Sequence, residues 1–490
     1  MIQLILNGND YHYSIEQLLR VFLPDIELLK VYDSPSREGE YILCETEQTD
    51  DALNLHVSIH TSFSESEFSQ TLFGDDLYKA GELSACQFLY KELCHAFRYT
   101  PQWGIQTGVR PTKIYFNLLR NNSEEQAVKY LREQLFISQN KVNLVKKVCQ
   151  AEVPVITSAK QDEFSLYISI PFCPSRCSYC SFISHSYHSI KKLIPEYMRL
   201  LSEEIEQIAA VTKELCLRLR TVYIGGGTPT VLDEKYLRSI FDTIQKNFDL
   251  SSLTEFTLEA GRPDTLTKEK LALIRSFPVT RLTINAQSFN DDVLKAIGRN
   301  HTCEDVHTAY TLAREAGFHN INTDLIAGLE GESVDSFLDS LSQAIQLGAE
   351  NITIHTLALK RSSFLITRDN AKGQIESQTA AMIEKASAVL EENGYIPYYM
   401  YRQSKSVGNL ENTGWCKPGK ECEYNIFMME EVQNVFGAGA GAVTRLTNPA
   451  DKNIARVFNY KYPYEYISGF ENIIERKSKA KQIVLDWREP

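Results

Sequence analysis

No apolar run in this chain of 490 residues approaches the roughly 20 residues that crossing a bilayer takes, so no membrane partner is expected. Low-complexity tracts are missing, and there is no internal repeat beyond a strand–helix alternation. No basic region precedes the opening apolar run: Met-Ile-Gln-Leu-Ile-Leu stops at Asn7-Gly8-Asn9-Asp10 and reads as a first strand and turn rather than a signal peptide. The cysteines form no disulfide framework, because eleven is an odd number and the eight at 44, 86, 94, 149, 216, 303, 416 and 422 are scattered. That pattern suits a reducing compartment, and a cytoplasmic location is expected. Basic charge is in short supply: 51 Lys and Arg stand against 63 Asp and Glu, a net charge of −12. Nucleic-acid binding neutralises phosphates with a basic surface, so no nucleic-acid partner is expected. The run from Arg476 to Lys481 reads as solvated surface.

What is present is a chain too long for one core, with 43% hydrophobic and 23% charged residues, so two or three domains are expected. From about residue 165 to 358 short β-branched runs alternate with amphipathic helical stretches. The strands read as Leu166–Ile170, Arg220–Ile224, Glu255–Glu259, Arg281–Asn285, Ile321–Ile326 and Asn351–Leu357, with helices such as Glu196–Leu215 and Val334–Leu347 between them. Six such units predict an α/β fold whose centre is a partial (β/α)6 barrel with its chemistry at the C-terminal ends of the strands. This barrel domain is expected over 161–370. An N-terminal α+β domain of unassigned role is expected over 1–160, with strands at Ile2–Leu6, Tyr41–Glu45 and Leu53–Ile59, and with Trp103 to Lys113 as a loop entering a helix. A C-terminal α+β region over 371–490 opens with a helix at Ser377–Asn393 and carries an aromatic stretch from Tyr395 to Tyr401.

Directly after the first barrel strand come Cys173, Cys177 and Cys180, spaced C-x3-C-x2-C. Three thiolates in one tight loop can hold three corners of a cubane iron–sulfur cluster and leave the fourth iron open to an exchangeable ligand. The same cysteines with His185 or His188 would also make a structural zinc site of three sulfurs and one nitrogen. The second strand ends in Val222-Tyr-Ile-Gly-Gly-Gly-Thr-Pro-Thr230. Three glycines let backbone amides and carbonyls approach the ammonium and carboxylate of an amino acid.

Together the cysteine loop and the glycine run resemble the signature of the radical S-adenosylmethionine (SAM) enzymes. Within that superfamily the chain resembles the oxygen-independent coproporphyrinogen III dehydrogenases, HemZ-type branch. The resemblance is carried by Phe256-Thr-Leu-Glu-Ala260, Leu282 to Asn290 with Ile297-Gly-Arg299, Asn322 to Gly328, Tyr398-Tyr-Met-Tyr-Arg402, Gly408 to Asn412, and Tyr424-Asn425 through Gly437-Ala-Gly-Ala-Gly441. It implies a radical SAM barrel holding a [4Fe–4S] cluster on Cys173, Cys177 and Cys180. It also implies a SAM site built from Tyr167, Gly226, Glu259 and Val443, with Glu259 accepting hydrogen bonds from the ribose hydroxyls. A second SAM is implied beside the first, at Tyr179, Ser181, Gly227, Thr228, Gln287, Arg299, Asp324 and Ala358. The implied reaction is oxidative decarboxylation of two propionates of coproporphyrinogen III to vinyl groups, giving protoporphyrinogen IX, with an electron donor such as a flavodoxin or ferredoxin. An anionic macrocycle needs cations, so Arg361, Arg402 and Arg110 are candidates for carboxylate pairing. His355 on the sixth strand faces the cavity or is a satisfied core histidine.

Two departures from the family stand out. Phe182 occupies the position where the best-understood dehydrogenases have a fourth cysteine, and the haem chaperone branch also has an aromatic there. That branch, however, carries a His-Asn-x-x-Tyr-Trp haem motif, where this chain reads Tyr424-Asn-Ile-Phe-Met428. A haem carrier, or a radical SAM enzyme that modifies haem itself, remains as the alternative to the dehydrogenase.

Overall fold

The computed structural model describes residues 1–24, 26–33, 39–180, 185–358, 372–403 and 406–488, with side chains from 376 onward in the helix that opens at 372. Two compact units emerge, one of residues 1–146 with 402–410, the other of residues 147–401 with 411–490.

The second unit is organised by a sheet of eleven strands. Its centre is a set of six strands adjacent in chain order and parallel throughout: Glu163–Ile170, Arg218–Gly226, Glu255–Glu259, Arg281–Thr283, Ile321–Ala327 and Asn351–Thr356. This is the expected partial barrel, and among the described residues the sheet stays open rather than closing on itself. The fourth strand is shorter than its sequence suggests. Beyond it the backbone reaches Gln287 at φ 68°, a left-handed conformation that no strand continues through. The C-terminal region joins the same sheet. Asn434–Ala438 lies parallel to the first strand, Glu411–Cys416 lies antiparallel to the sixth, and Val443–Thr447 with Ile454–Phe458 extend one edge.

Helices return the chain between the strands: Ile194–Glu214, Glu234–Asn247, Lys268–Arg275, Cys303–Glu315, Val334–Gln346 and Lys372–Glu392. The first buries Ile194, Tyr197, Met198, Leu201, Ile205 and Ile208 on one face, each worth about 1.5–3 kcal/mol as apolar area leaves water. Side-chain caps at Thr267, Thr302 and Ser333 satisfy amides in the first turns of three helices, about 1 kcal/mol apiece. Since each strand runs into the helix after it, these capped N-termini lie at the C-terminal ends of the strands, where the motif residues also fall.

The helix Ile194–Glu214 also buries a charge. Glu204 meets Lys477 at 2.9 Å with both side chains shut off from solvent, and it accepts from Tyr466 Oη, Asn459 Nδ2 and Gly439 N. Through these bonds and Ser169 Oγ to Ala440 O at 2.8 Å, the glycine-rich turn at 437–441 is pinned to the end of the first strand.

The first unit has its own sheet, in the order Leu28–Tyr32, Ile2–Asn7, Tyr41–Gln48, Ala52–Thr61, Ser64–Phe73. Helices His12–Phe22 and Leu77–Phe97 contribute Leu18, Leu19, Leu89 and Leu93 to a core shared with Leu4, Leu6, Val57 and Ile59. The loop at Trp103 does enter a helix, Pro111–Leu119, with proline at its first position. Among the described residues no helix is long and apolar enough to cross a membrane.

Candidate active site

After Ile170 the chain turns into a loop closed by a two-residue parallel bridge between Phe172–Cys173 and His185–Ser186. Tyr187 N donates to Cys173 O, and Cys180 N to Cys177 O. None of the three cysteines is in a disulfide; Cys177 is buried and the other two are half-buried. Thr228 Oγ1 donates to Cys173 Sγ at 3.6 Å, tying the loop to the glycine run, and Ser178 N donates to Ile297 O, tying it to the Ile297-Gly-Arg299 segment. Ser181 and Phe182 lie outside the described residues. His188 is exposed. Among the described residues no three His, Cys, Asp or Glu side chains converge as a single-ion site requires, whereas a cubane distributes its thiolates over separate irons.

The glycine run is shaped by close approach. A Cβ on Gly225 would stand 2.7 Å from the Glu259 carboxyl, and one on Gly227 would stand 2.5 Å from Phe172 O. Gly226 has φ 105°, open only to glycine. The amides of the run are used inside the protein: Gly226 N donates to Glu259 Oε2 at 3.1 Å, Gly227 N to Ile170 O and Thr228 N to Phe172 O. These amides are thus engaged by the protein's own oxygens, and the carbonyls of the run are the groups suited to an ammonium.

Glu259 ends the third strand. Its other oxygen accepts from Tyr223 Oη at 2.6 Å. Burial, with the Asp324 charge adding, pushes its pKa up to about 7 against those two hydrogen bonds and the His355 charge. Beneath it three aromatic rings stack: Tyr223 on Tyr424 at 4.5 Å, with Tyr167 6.2 Å from each. Tyr167 and Tyr223 are register partners on neighbouring strands, so they share a face.

On the fifth and sixth strands Asp324 and His355 make a pair, Nε2 3.6 Å from Oδ2. Tyr401 Oη lies 3.5 Å from the other ring nitrogen, and Asn322 Nδ2 donates to Asp324 at 2.8 Å. Burial is the largest single influence and opposes both charges, but the mutual hydrogen bond and opposite charge, with hydrogen bonds from neighbours such as Asn322, together outweigh it, so Asp324 is held below the usual carboxylate range and His355 above the usual imidazole range. His355 is therefore a satisfied histidine, half-buried and paired to Asp324. Gln287 is buried with Oε1 unpartnered, Ala358 follows the sixth strand half-buried, and Val443 opens the strand after the glycine-rich turn. Tyr179 and Arg299 meet beside Cys177.

The substrate cations fare differently. Arg361 lies outside the described residues. Arg110 belongs to the first unit, as does Arg402. Arg402 is 2% exposed, donates to the carbonyls of Asn409 and Gln106, and stands over the Trp103 ring. Its guanidinium donates to backbone oxygens of its own unit.

Residues 167–344 match the radical SAM superfamily. Over 97% of this chain and 96% of the relative, the sequence is 36% identical to the oxygen-independent coproporphyrinogen-III oxidase-like protein HemZ of Bacillus subtilis. The chain belongs to the radical SAM family that includes HemZ and HemW. The haem chaperone HemW of Bacillus subtilis is 34% identical over 60% of this chain and 74% of its own length. The solved coproporphyrinogen III oxidase HemN of Escherichia coli covers 66% of this chain and 72% of its own, at 20% identity and a TM-score of 0.49. Membership of the radical SAM family implies a [4Fe–4S] cluster and SAM. The residues of this radical SAM protein fit both, with three cysteines in one loop and in no disulfide, a glycine cradle that a Cβ would fill, and a carboxylate at its rim.

Tyr223, Arg262 and His301 were not singled out from the sequence. Alternation along the second strand places Tyr223 on the face of Gly225, and that signal was available; nothing local marks the other two as neighbours of the cysteine loop.

Proposed function

We propose that this protein carries out SAM-dependent oxidative decarboxylation of two propionates of coproporphyrinogen III to vinyl groups, giving protoporphyrinogen IX. The observation that favours an enzyme over a haem carrier is Tyr424. It stands where the chaperone branch has its haem-ligating histidine, it is 4% exposed, and its ring is packed against Tyr223 and Tyr167. Burial first, then the neighbouring acidic groups, hold the phenol well above its usual range and neutral, and a neutral phenol is a poor iron ligand.

SAM with the cluster supplies hydrogen-atom abstraction from an unactivated carbon. The protein's part is position and exclusion of water. Cys173, Cys177 and Cys180 would hold the cluster, Glu259 would hold the ribose diol, and the carbonyls of the glycine run would meet the ammonium. The tyrosine stack closes the floor. A second SAM would take Tyr179, Ser181, Gly227, Thr228, Gln287, Arg299, Asp324 and Ala358. Each decarboxylation removes a hydrogen atom and one further electron from the substrate, so an external electron acceptor is required besides the one-electron donor, of flavodoxin or ferredoxin class, that starts each cycle.

The haem-carrier reading draws on the likeness to HemW. Anaerobic reconstitution followed by incubation with SAM, reductant, an electron acceptor and coproporphyrinogen III separates the two. Mass spectrometry should show loss of one and then two carboxyl groups through a monovinyl intermediate. Unchanged substrate together with stoichiometric haem binding would replace the enzyme reading with the carrier.

A further inference from the structure

The cysteine loop is held against a buried cation. Arg299 is 8% exposed, and its Nη1 donates to Asn285 O at 2.6 Å and reaches Gly261 O at 3.5 Å. The Cys177 thiol and the Tyr179 hydroxyl are its electrostatic neighbours, while its Nε has no partner. Among the described residues no carboxylate pairs with it. A second arginine, Arg262, is 2% exposed. It is neutralised by Asp264 at 3.1 Å and donates to Ser175 Oγ of the same loop at 3.0 Å.

His301 reports on the field there. It is 2% exposed. Burial first, then the Arg299 and Arg262 charges, push its pKa down to about 4, so it adds no charge of its own. Asp264 is the carboxylate facing this group, Tyr179 and the thiols are its other titratable neighbours, and Arg299 is left as a fixed, uncompensated cation. Burying such a charge is costly unless negative charge arises beside it. The three thiolates of a bound cluster are that negative charge, and one-electron reduction makes the site more negative still.

Building on the cluster reading, we propose that Arg299 is the counter-charge of the iron–sulfur cluster and raises its reduction potential. The step is [4Fe–4S]2+ plus one electron from an external one-electron reductant giving [4Fe–4S]+, with no bond made or broken. Reduction potential responds to the net charge around the cluster, and Arg299 places a positive charge beside Cys177. Arginine stays protonated throughout the accessible pH range, so the effect is that of a permanent charge. This role is separate from a contact to a second SAM, because it operates with no SAM bound.

The test is a mediated potentiometric titration of the anaerobically reconstituted full chain without SAM, followed by absorption and by electron paramagnetic resonance. At the wild-type midpoint, Arg299→Gln should show a reduced-to-oxidised ratio about tenfold lower, a shift of about 59 mV to more negative potential for a one-electron couple. Arg299→Lys, which keeps the charge, should stay close to wild type. An unchanged midpoint in Arg299→Gln, or a Lys variant that moves with it, overturns the proposal. Should Arg299→Gln take up no iron, Arg299→His carries the test: a midpoint that falls more steeply with rising pH than wild type supports the counter-charge, and parallel pH curves overturn it. Wild-type protein that loads no iron defeats the cluster reading itself, an outcome distinct from these.

Discussion

Raising the pH from 6 to 8 should tighten binding of an adenosine-type ligand roughly tenfold, and the reason is the state of one carboxyl group. Glu259 sits at the rim of the glycine run with its pKa pushed up to about 7 by burial, in spite of hydrogen bonds from Tyr223 and Gly226 N. A ribose diol donates two hydrogen bonds, and only the ionised carboxylate accepts both without a competing O–H. With a pKa of about 7, roughly one molecule in eleven is ionised at pH 6 and roughly ten in eleven at pH 8, a ratio of about ten. The suitable probe is 5′-deoxyadenosine, which keeps the diol but lacks the titrating amino acid end of SAM. Its dissociation constant would be measured by calorimetry at pH 6, 7 and 8 at constant ionic strength, on wild type and on Glu259→Gln. The amide cannot ionise, so the variant should bind with no pH slope and iron content unchanged. Wild-type affinity that is flat or falls with pH, or a slope that survives in Glu259→Gln, would refute the reasoning.

Cys177→Ala should abolish the uptake of about four irons per chain and the thiolate-to-iron absorption that dithionite bleaches, whereas stoichiometric zinc without iron would overturn the radical reading. Lys477→Met leaves Glu204 buried without its cation and should cost about 3–5 kcal/mol in denaturant unfolding, with part regained when Glu204→Gln is added. In His355→Gln the loss of stability should be fullest between about pH 4 and 6.5, where Asp324 and His355 are both charged in the folded protein. His355 has a raised folded pKa, so wild type loses that advantage as pH rises through it; Asp324 has a lowered one, so the advantage also fades as pH falls through that value. A gap that widens toward alkaline pH would contradict the pairing.

The six parallel strands were legible because β-branched runs alternate with helices of one apolar face, and the helix expected at Glu196–Leu215 is found at Ile194–Glu214. Pairing was not legible. Asn434–Ala438 is short and carries a glycine, and no local pattern reveals a partner far upstream in the chain. Ser64–Phe73 escaped notice because it is polar and mostly exposed, and its strand character comes from full-length pairing with Ala52–Thr61. For the site, Cys173, Gly226 and Glu259 lie at or just beyond the ends of the first three parallel strands, where short loops leave little freedom. Side-chain direction was beyond the reach of motif spacing. Arg402 and Arg299 are equally cationic in sequence, yet one is absorbed by the carbonyls of Asn409 and Gln106 and the other is aimed at the cysteine loop.

The strand Asn434–Ala438 also imposes an order on how the protein can be made. It flanks the strand that launches the cysteine loop, and the bond from Ser169 Oγ to Ala440 O spans 271 residues of chain. At about 5–20 residues per second, the ribosome takes roughly 15–50 s to deliver that partner after the first strand emerges. Throughout that interval the cysteine loop hangs from a strand with one side unpaired, and the glycine-rich turn that braces its base does not yet exist. Iron that arrived early would meet three thiols on an unfinished support, so loading of the metal belongs after release of the finished chain, and truncations near the C-terminus should appear as iron-poor protein even though every ligand lies far upstream of them.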